Sequence, residues 1–200
     1  MTSAIQDRLR AAFHGTTLLR SRELTTKGFN RAYLRQAVQA GLLERAGRGL
    51  YRTPGADITE NHTLAEVGKR VPRGVICLLS ALRFHNLTSQ SPHEVWLALD
   101  HKAWRPRLDQ VSLRVARLSG PSLREGAETH VIEGVPVRIY SLAKTVADCF
   151  KFRHKIGLDV ALEALREGWR ARRVTMKDLE HYARVDRVSR VMNPYLASLT

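Results

Sequence analysis

The sequence predicts a mainly α chain with α+β character, in which three short helices and a basic hairpin precede a larger mixed α+β region. Three observations carry that prediction. Apolar residues recur at helical spacing through the first 40 residues, in runs closed by glycine. Residues 42–52 then read as strand, tight Gly47-Arg48-Gly49 turn, strand. Past Thr53-Pro54-Gly55 the order is helix, alternating strands, then helices again, which is the order of an α+β domain.

Each element has its own signal. Residues 3–13 place Ile5, Leu9, Ala12 and Phe13 on one helical face, and His14-Gly15 ends the helix. Ser21 is suited to cap a short helix from Arg22 to Lys27, which Gly28 stops. Asn30 caps a third helix that runs to about Ala40, where Gly41 ends it. This order, three helices and then a hairpin, is that of a winged helix-turn-helix. Residues 59–71 follow as a helix with Leu64, Val67 and Val71 inward, and the apolar run Val75 to Phe84 predicts a buried helix. His93 to Asp100 alternates, with Val95, Leu97 and Leu99 on one face, and Val111 to Leu118 alternates again. His130 to Ile132 and Val135 to Tyr140 flank Gly134 as a hairpin. Ser141 caps a helix through about Phe152, and 157–169 form another with Leu158, Ala161, Leu162 and Leu165 inward. Thr175 caps a further helix, and a last short one surrounds Pro194. The expected division is a winged helix-turn-helix DNA-binding domain over 1–55 and an α+β domain over 59–200.

Composition narrows the function. Lys and Arg number 33 against 19 Asp and Glu, a net charge of +14. Such an excess attracts polyanions, and the basic set is dominated by Arg, which forms bidentate contacts to phosphate and guanine. No stretch has the ~20 apolar residues a membrane helix needs, so no membrane partner is expected. The segment MTSAIQDRLR lacks the apolar core of a secretory signal, and two cysteines without a CxxC make no disulfide framework. A cytoplasmic location is expected.

The charge concentrates in the first helices and the hairpin. Residues 20–52 hold eight Lys or Arg and two Glu, hence +6. On the third helix Leu34, Ala37 and Val38 form the inward stripe, while Arg31, Arg35 and Gln39 make one exposed line at i, i+4 and i+8. Arg and Gln on such a line are able to read guanine and adenine edges in a major groove. In isolation a basic helix face is better explained by solvation; the short helix before it, the Gly28 stop and the hairpin after it favour DNA. Arg48 stands at the hairpin tip, where a minor groove attracts arginine. Glycines at 47 and 49 would also suit a plain hairpin needing positive φ. Arg22, Asn30, Arg45 and Arg52 complete the expected DNA-binding set.

Residues 21–52, SRELTTKGFNRAYLRQAVQAGLLERAGRGLYR, resemble the winged-helix module of the AbiEi family, the antitoxins of bacterial type IV toxin–antitoxin systems. The segment Val137 to Phe150, VRIYSLAKTVADCF, resembles that family's strand-to-helix segment, and His154 to Leu165 resembles the helix after it. The resemblance implies a protein that represses its own promoter by binding inverted repeats in double-stranded DNA. It also implies neutralisation of a nucleotidyltransferase toxin without need of a stable complex.

Catalysis is not expected of the chain itself, and neither a cofactor nor a metal is. A nucleotidyltransferase needs paired acids, and no Asp-x-Asp or Asp-x-Glu occurs. The alternative is a winged-helix DNA nuclease with a site at Asp100 and Lys102, the acid-x-Lys end of a strand; further acidic metal ligands at suitable spacing are missing. His85, His93 and His101 lack metal-ligand spacing. Ser141, Lys144 and Asp148 share a helical face, with Ser141 as a cap and Lys144–Asp148 as an i,i+4 pair. Arg170, Arg172 and Arg173 form a basic cluster that suits a DNA footprint, an acidic or nucleotide-bearing partner or, equally, simple solubility.

Overall fold

The structure is a computed structural model and describes residues 3–88 and 92–199. It is mixed α+β and divides into two compact units. The first takes the chain up to Pro72, with Pro106–Ser112 and His130–Val137. The second takes Arg73–Arg105, Leu113–Thr129 and the chain from Arg138 onward.

The first unit runs α1 (Ser3–Ala12), β1 (Leu19–Arg20), α2 (Ser21–Thr26), α3 (Arg31–Gln39), β2 (Glu44–Gly47), β3 (Leu50–Arg52) and α4 (His62–Arg70). Leu9 from α1 and Phe13 just past its end meet Leu24, Phe29, Leu34 and Leu43 in one buried cluster. The three strands lie in the order β1-β3-β2, all antiparallel, with Leu19 opposite Tyr51. Asn30 caps α3 as its sequence suggests: its Oδ1 accepts the Tyr33 amide at 2.8 Å. Ser21 does not cap α2; it is the first helical residue and its Oγ donates to the Gly49 carbonyl at 3.2 Å. Glu23 ties off this end instead, accepting the Arg20 amide at 2.6 Å. The same carboxylate accepts from Lys69 Nζ at 2.8 Å, which fastens α4 to α2.

The second unit contains β4 (Val75–Ile76), α5 (Leu78–Phe84), β5 (Val95–Asp100), β6 (Leu113–Leu118), α6 (Gly120–Arg124), β7 (Ala127–Ile132), β8 (Val135–Tyr140), α7 (Leu142–Lys151), α8 (Arg153–Ile156), α9 (Leu158–Arg170), α10 (Met176–Val185) and α11 (Ser189–Ala197). The tip of the β7–β8 hairpin, His130–Val137, is counted with the first unit. Five strands follow the order β6-β5-β4-β8-β7; β5–β6 and β4–β8 run parallel, β4–β5 antiparallel. The expected single helix over Val75 to Phe84 is therefore a strand and then a helix. An all-apolar run is ambiguous by periodicity, and the sheet claims its first two residues. On β5 both faces are buried, Trp96 and Ala98 as well as the expected Val95, Leu97 and Leu99.

Helix α7 is the centre of this unit's core, with every residue from Leu142 to Phe150 buried. That includes the Lys144–Asp148 pair, which the helical spacing alone would leave as an ordinary surface contact. Lys144 Nζ lies 2.5 Å from Asp148 Oδ1 and 3.1 Å from Asp186 Oδ2, and Ser122 Oγ donates to Asp186 Oδ1 at 2.6 Å. Ser141 precedes the helix as expected, but its hydroxyl makes no capping bond. Leu158, expected inward, is 37% exposed at the first turn of α9, while Val160, Ala161, Ala164 and Leu165 carry the packing.

Candidate nucleic-acid interface

Helix α3 shows two faces because Leu34 and Ala37 are held in the core of the first unit. A residue fixed every third or fourth position turns the intervening ones outward. Arg31, Arg35 and Gln39 are accordingly exposed. The hairpin after it turns at Arg48-Gly49, with Gly47 opposite Leu50 and a bulge between Arg45 and Gly47. Gly49 has φ +69, a conformation that an L side chain adopts only under strain. Arg45 and Arg48 are exposed, one on the strand and one at the tip.

These elements enclose a concave surface of about 520 Å3, lined by Arg31, Arg35, Arg45 and Arg48 with Asp109 as its acid. Four of the arginines expected from the sequence thus converge on one face. A second concavity of about 550 Å3 adjoins it, sharing Arg48 and adding Arg20, Arg70 and Arg107. Arg70 donates to the Arg48 carbonyl at 3.3 Å, and Arg20 donates to the carbonyl of Lys69. Burial pulls Arg20 below its ordinary pKa, and the neighbouring Arg22 and Arg70 do the same against the pull of Glu23. Like charges crowded at this density gain from an incoming anion.

The remaining expected residues are placed differently. Arg22 is exposed on α2 and Gln39 stands at the last residue of α3. Asn30 spends its side-chain oxygen on the cap. Arg52 is half-buried and its Nε donates to Glu44 Oε2 at 2.8 Å. Arg70 and Arg107 have no local sequence signal that places them here, because they reach this surface from α4 and from Pro106–Ser112, distant stretches of chain. Arg20 lies within the basic stretch and was legible in principle from its place beside the second helix.

Helix, strand, two helices and hairpin are thus set in one 50-residue stretch, which supplies the lining of the first concavity except for Asp109. Residues 7–54 match the family of transcriptional regulators described as AbiEi antitoxins. The AbiEi match starts within α1 and ends two residues past β3, so it includes every expected DNA-binding residue from Arg22 to Arg52. It takes in 48 of the 200 residues and does not reach 137–150 or 154–165. No curated protein matches the chain. Among the described residues no helix is long and apolar enough to cross a membrane.

At the end of β5, Asp100 Oδ1 accepts the Lys102 amide at 2.9 Å, which closes a turn. Among the described residues no group of three or more His, Cys, Asp or Glu is placed to hold a metal ion. His85 is buried with Nε2 at 2.7 Å from the Tyr140 carbonyl, while His93 and His101 are exposed.

Proposed function

We propose that the chain is an antitoxin-type transcriptional regulator whose first 55 residues act as a winged helix-turn-helix. In this reading α3 is the recognition helix and enters a major groove. Arg31, Arg35 and Gln39 face base edges, and the β2–β3 hairpin is the wing, carrying Arg48 toward the adjacent minor groove and Arg45 and Arg52 toward phosphate. The observation that carries the proposal is the convergence of Arg31, Arg35, Arg45 and Arg48 on one concave face, within the stretch that matches AbiEi regulators. Arg20 within that stretch, and Arg70 and Arg107 outside it, extend the phosphate-binding track.

The partner DNA is the chain's own promoter, bound at inverted repeats. The second unit has a hydrophobic core of its own, from Val75 to Leu196, and the α+β region over 59–200 that contains it neutralises a nucleotidyltransferase toxin, without itself being an enzyme. The chain works in the cytoplasm, where both partners are found. The test is titration of the full chain against the DNA upstream of its gene and against random duplex of equal length, over a range of salt. Tighter binding to the upstream fragment with a steep salt slope is expected. Equal affinity for both duplexes at every salt concentration would remove the regulator reading.

A further inference from the structure

The second unit holds a basic cleft of about 680 Å3 that the DNA-binding reading does not use. Arg117, Lys151, Arg184 and Arg187 line it. Glu125 is the carboxylate in its wall, and that carboxylate faces His181 Nε2 at 2.9 Å. Two of the four cations are tied into the fold. Arg117 donates to the carbonyls of Asp100 and Ala103 at 2.8 and 2.6 Å, and Lys151 donates to the Asp186 carbonyl at 2.9 Å. Arg184 and Arg187 are exposed, and neither side chain has a partner among the described residues.

The backbone fixes where these two side chains leave the chain. Helix α10 closes with the Val188 amide donating to the Ala183 carbonyl at 2.8 Å, and Arg187 takes the left-handed position before it with φ +58. Glycine is the ordinary occupant of that position, since a Cβ there is strained. A cation near the helix C-terminus is favourable, but Arg184 in the last turn already supplies one. Between the two arginines, Asp186 is 1% exposed and bonded to Lys144 and Ser122. The segment carrying Arg184 and Arg187 is therefore anchored from below.

We propose that this cleft binds the phosphates of a nucleoside triphosphate, with Arg184 and Arg187 as the direct ligands and Arg117 and Lys151 supplying the surrounding positive field. Guanidinium pairs suit phosphate because their planar forks donate two parallel hydrogen bonds. The cleft volume falls within the ~300–1,000 Å3 of small-molecule sites, and the Pro121 and Val185 edges offer apolar surface to a nucleoside. An extended nucleic-acid strand would need a longer track than one cleft of this size.

The experiment is calorimetric titration of the full chain with ATP and with inorganic triphosphate, for the wild type, Arg187→Gly and Arg184→Gln/Arg187→Gly. Saturable binding of both probes is expected, with ATP at least as tight as triphosphate. The double variant should bind both about tenfold more weakly or worse. Arg187→Gly should melt no lower than the wild type, because glycine relieves the left-handed backbone, and binding of a short random duplex should be unchanged. Absence of saturable binding to the wild type overturns the proposal, as does equal affinity in wild type and double variant. Triphosphate binding without ATP binding, or a loss confined to the duplex, overturns it too.

Discussion

The ammonium of Lys144 lies 3.1 Å from a carboxylate oxygen of Asp186, and neither side chain reaches solvent. Asp148 completes the group at 2.5 Å on the same helix as Lys144. Burial alone would pull the Lys144 pKa down, yet Asp148 and Asp186 together hold it above its ordinary value. Burial pushes the Asp148 carboxyl well up, against the pull of Lys144. One cation thus serves two buried acids that join α7 to the end of α10.

Removing that cation should be costly. Lys144→Met leaves two carboxyl groups without their charge partner and should lower stability by ~3–5 kcal/mol. Lys144→Met with Asp148→Asn should recover part of the loss, since the uncompensated charge is reduced. Urea denaturation of the wild type, the single variants and the double variant measures the coupling. Additive losses would mean that the buried pair makes no net interaction.

Arg35 is the test of base reading. It stands exposed on α3 in the middle of the line from Arg31 to Gln39. Arg35→Ala should weaken binding to the promoter by ~1–3 kcal/mol and relax specificity at the contacted base pair. Anisotropy titrations with specific and random duplex separate the cases. An equal loss on both would make Arg35 a phosphate contact.

Arg48 tests the hairpin. Arg48→Ala should lower the salt slope of DNA binding by about one unit if a single phosphate contact is lost. The hairpin should persist, because its turn depends on the glycines at 47 and 49 and on pairing with Leu50. Circular dichroism checks the second point and salt-dependent titration the first. The same variant should still protect cells from the toxin, which separates repression from antitoxicity.

Glu133 gives a pH dependence. It accepts from Thr17 Oγ1 at 2.7 Å and from the Thr59 amide at 2.7 Å, and its Oε2 is 2.7 Å from His62 Nδ1. Burial pushes its pKa up, but these donors outweigh it and hold the carboxyl below its ordinary value. A folded-state value below the unfolded one means stabilisation at neutral pH that is lost as pH falls through the carboxylate range, near ~4. Glu133→Gln should be less stable at neutral pH and should show a flatter stability profile below pH ~5. Melting curves across that range measure it, and parallel profiles for both proteins would rule the contribution out.

The local elements were legible because their causes are local. Asn30 caps α3, Gly41 ends it, and Leu34 and Ala37 choose which face Arg31 and Arg35 present, all within twelve residues. The Gly47-Arg48-Gly49 turn is likewise legible from its own residues, since Gly49 takes φ +69, although Ser21 and Arg70 also bond to its carbonyls. Tertiary structure decided what depends on chain brought from afar. Val75 and Ile76 are strand because β5 and β8 supply partners on both sides, which no window of the sequence contains. Gly134 is required because a Cβ there would overlap the Gly15 carbonyl oxygen, more than 100 residues away in the chain. Lys144 and Asp148 look alike on paper whether they sit on a surface or in a core; the arrival of Asp186 and Ser122 made them a buried network. Arg70 and Arg107 join the basic face in the same way, since charge patterning along a chain does not record which distant segments will share one surface.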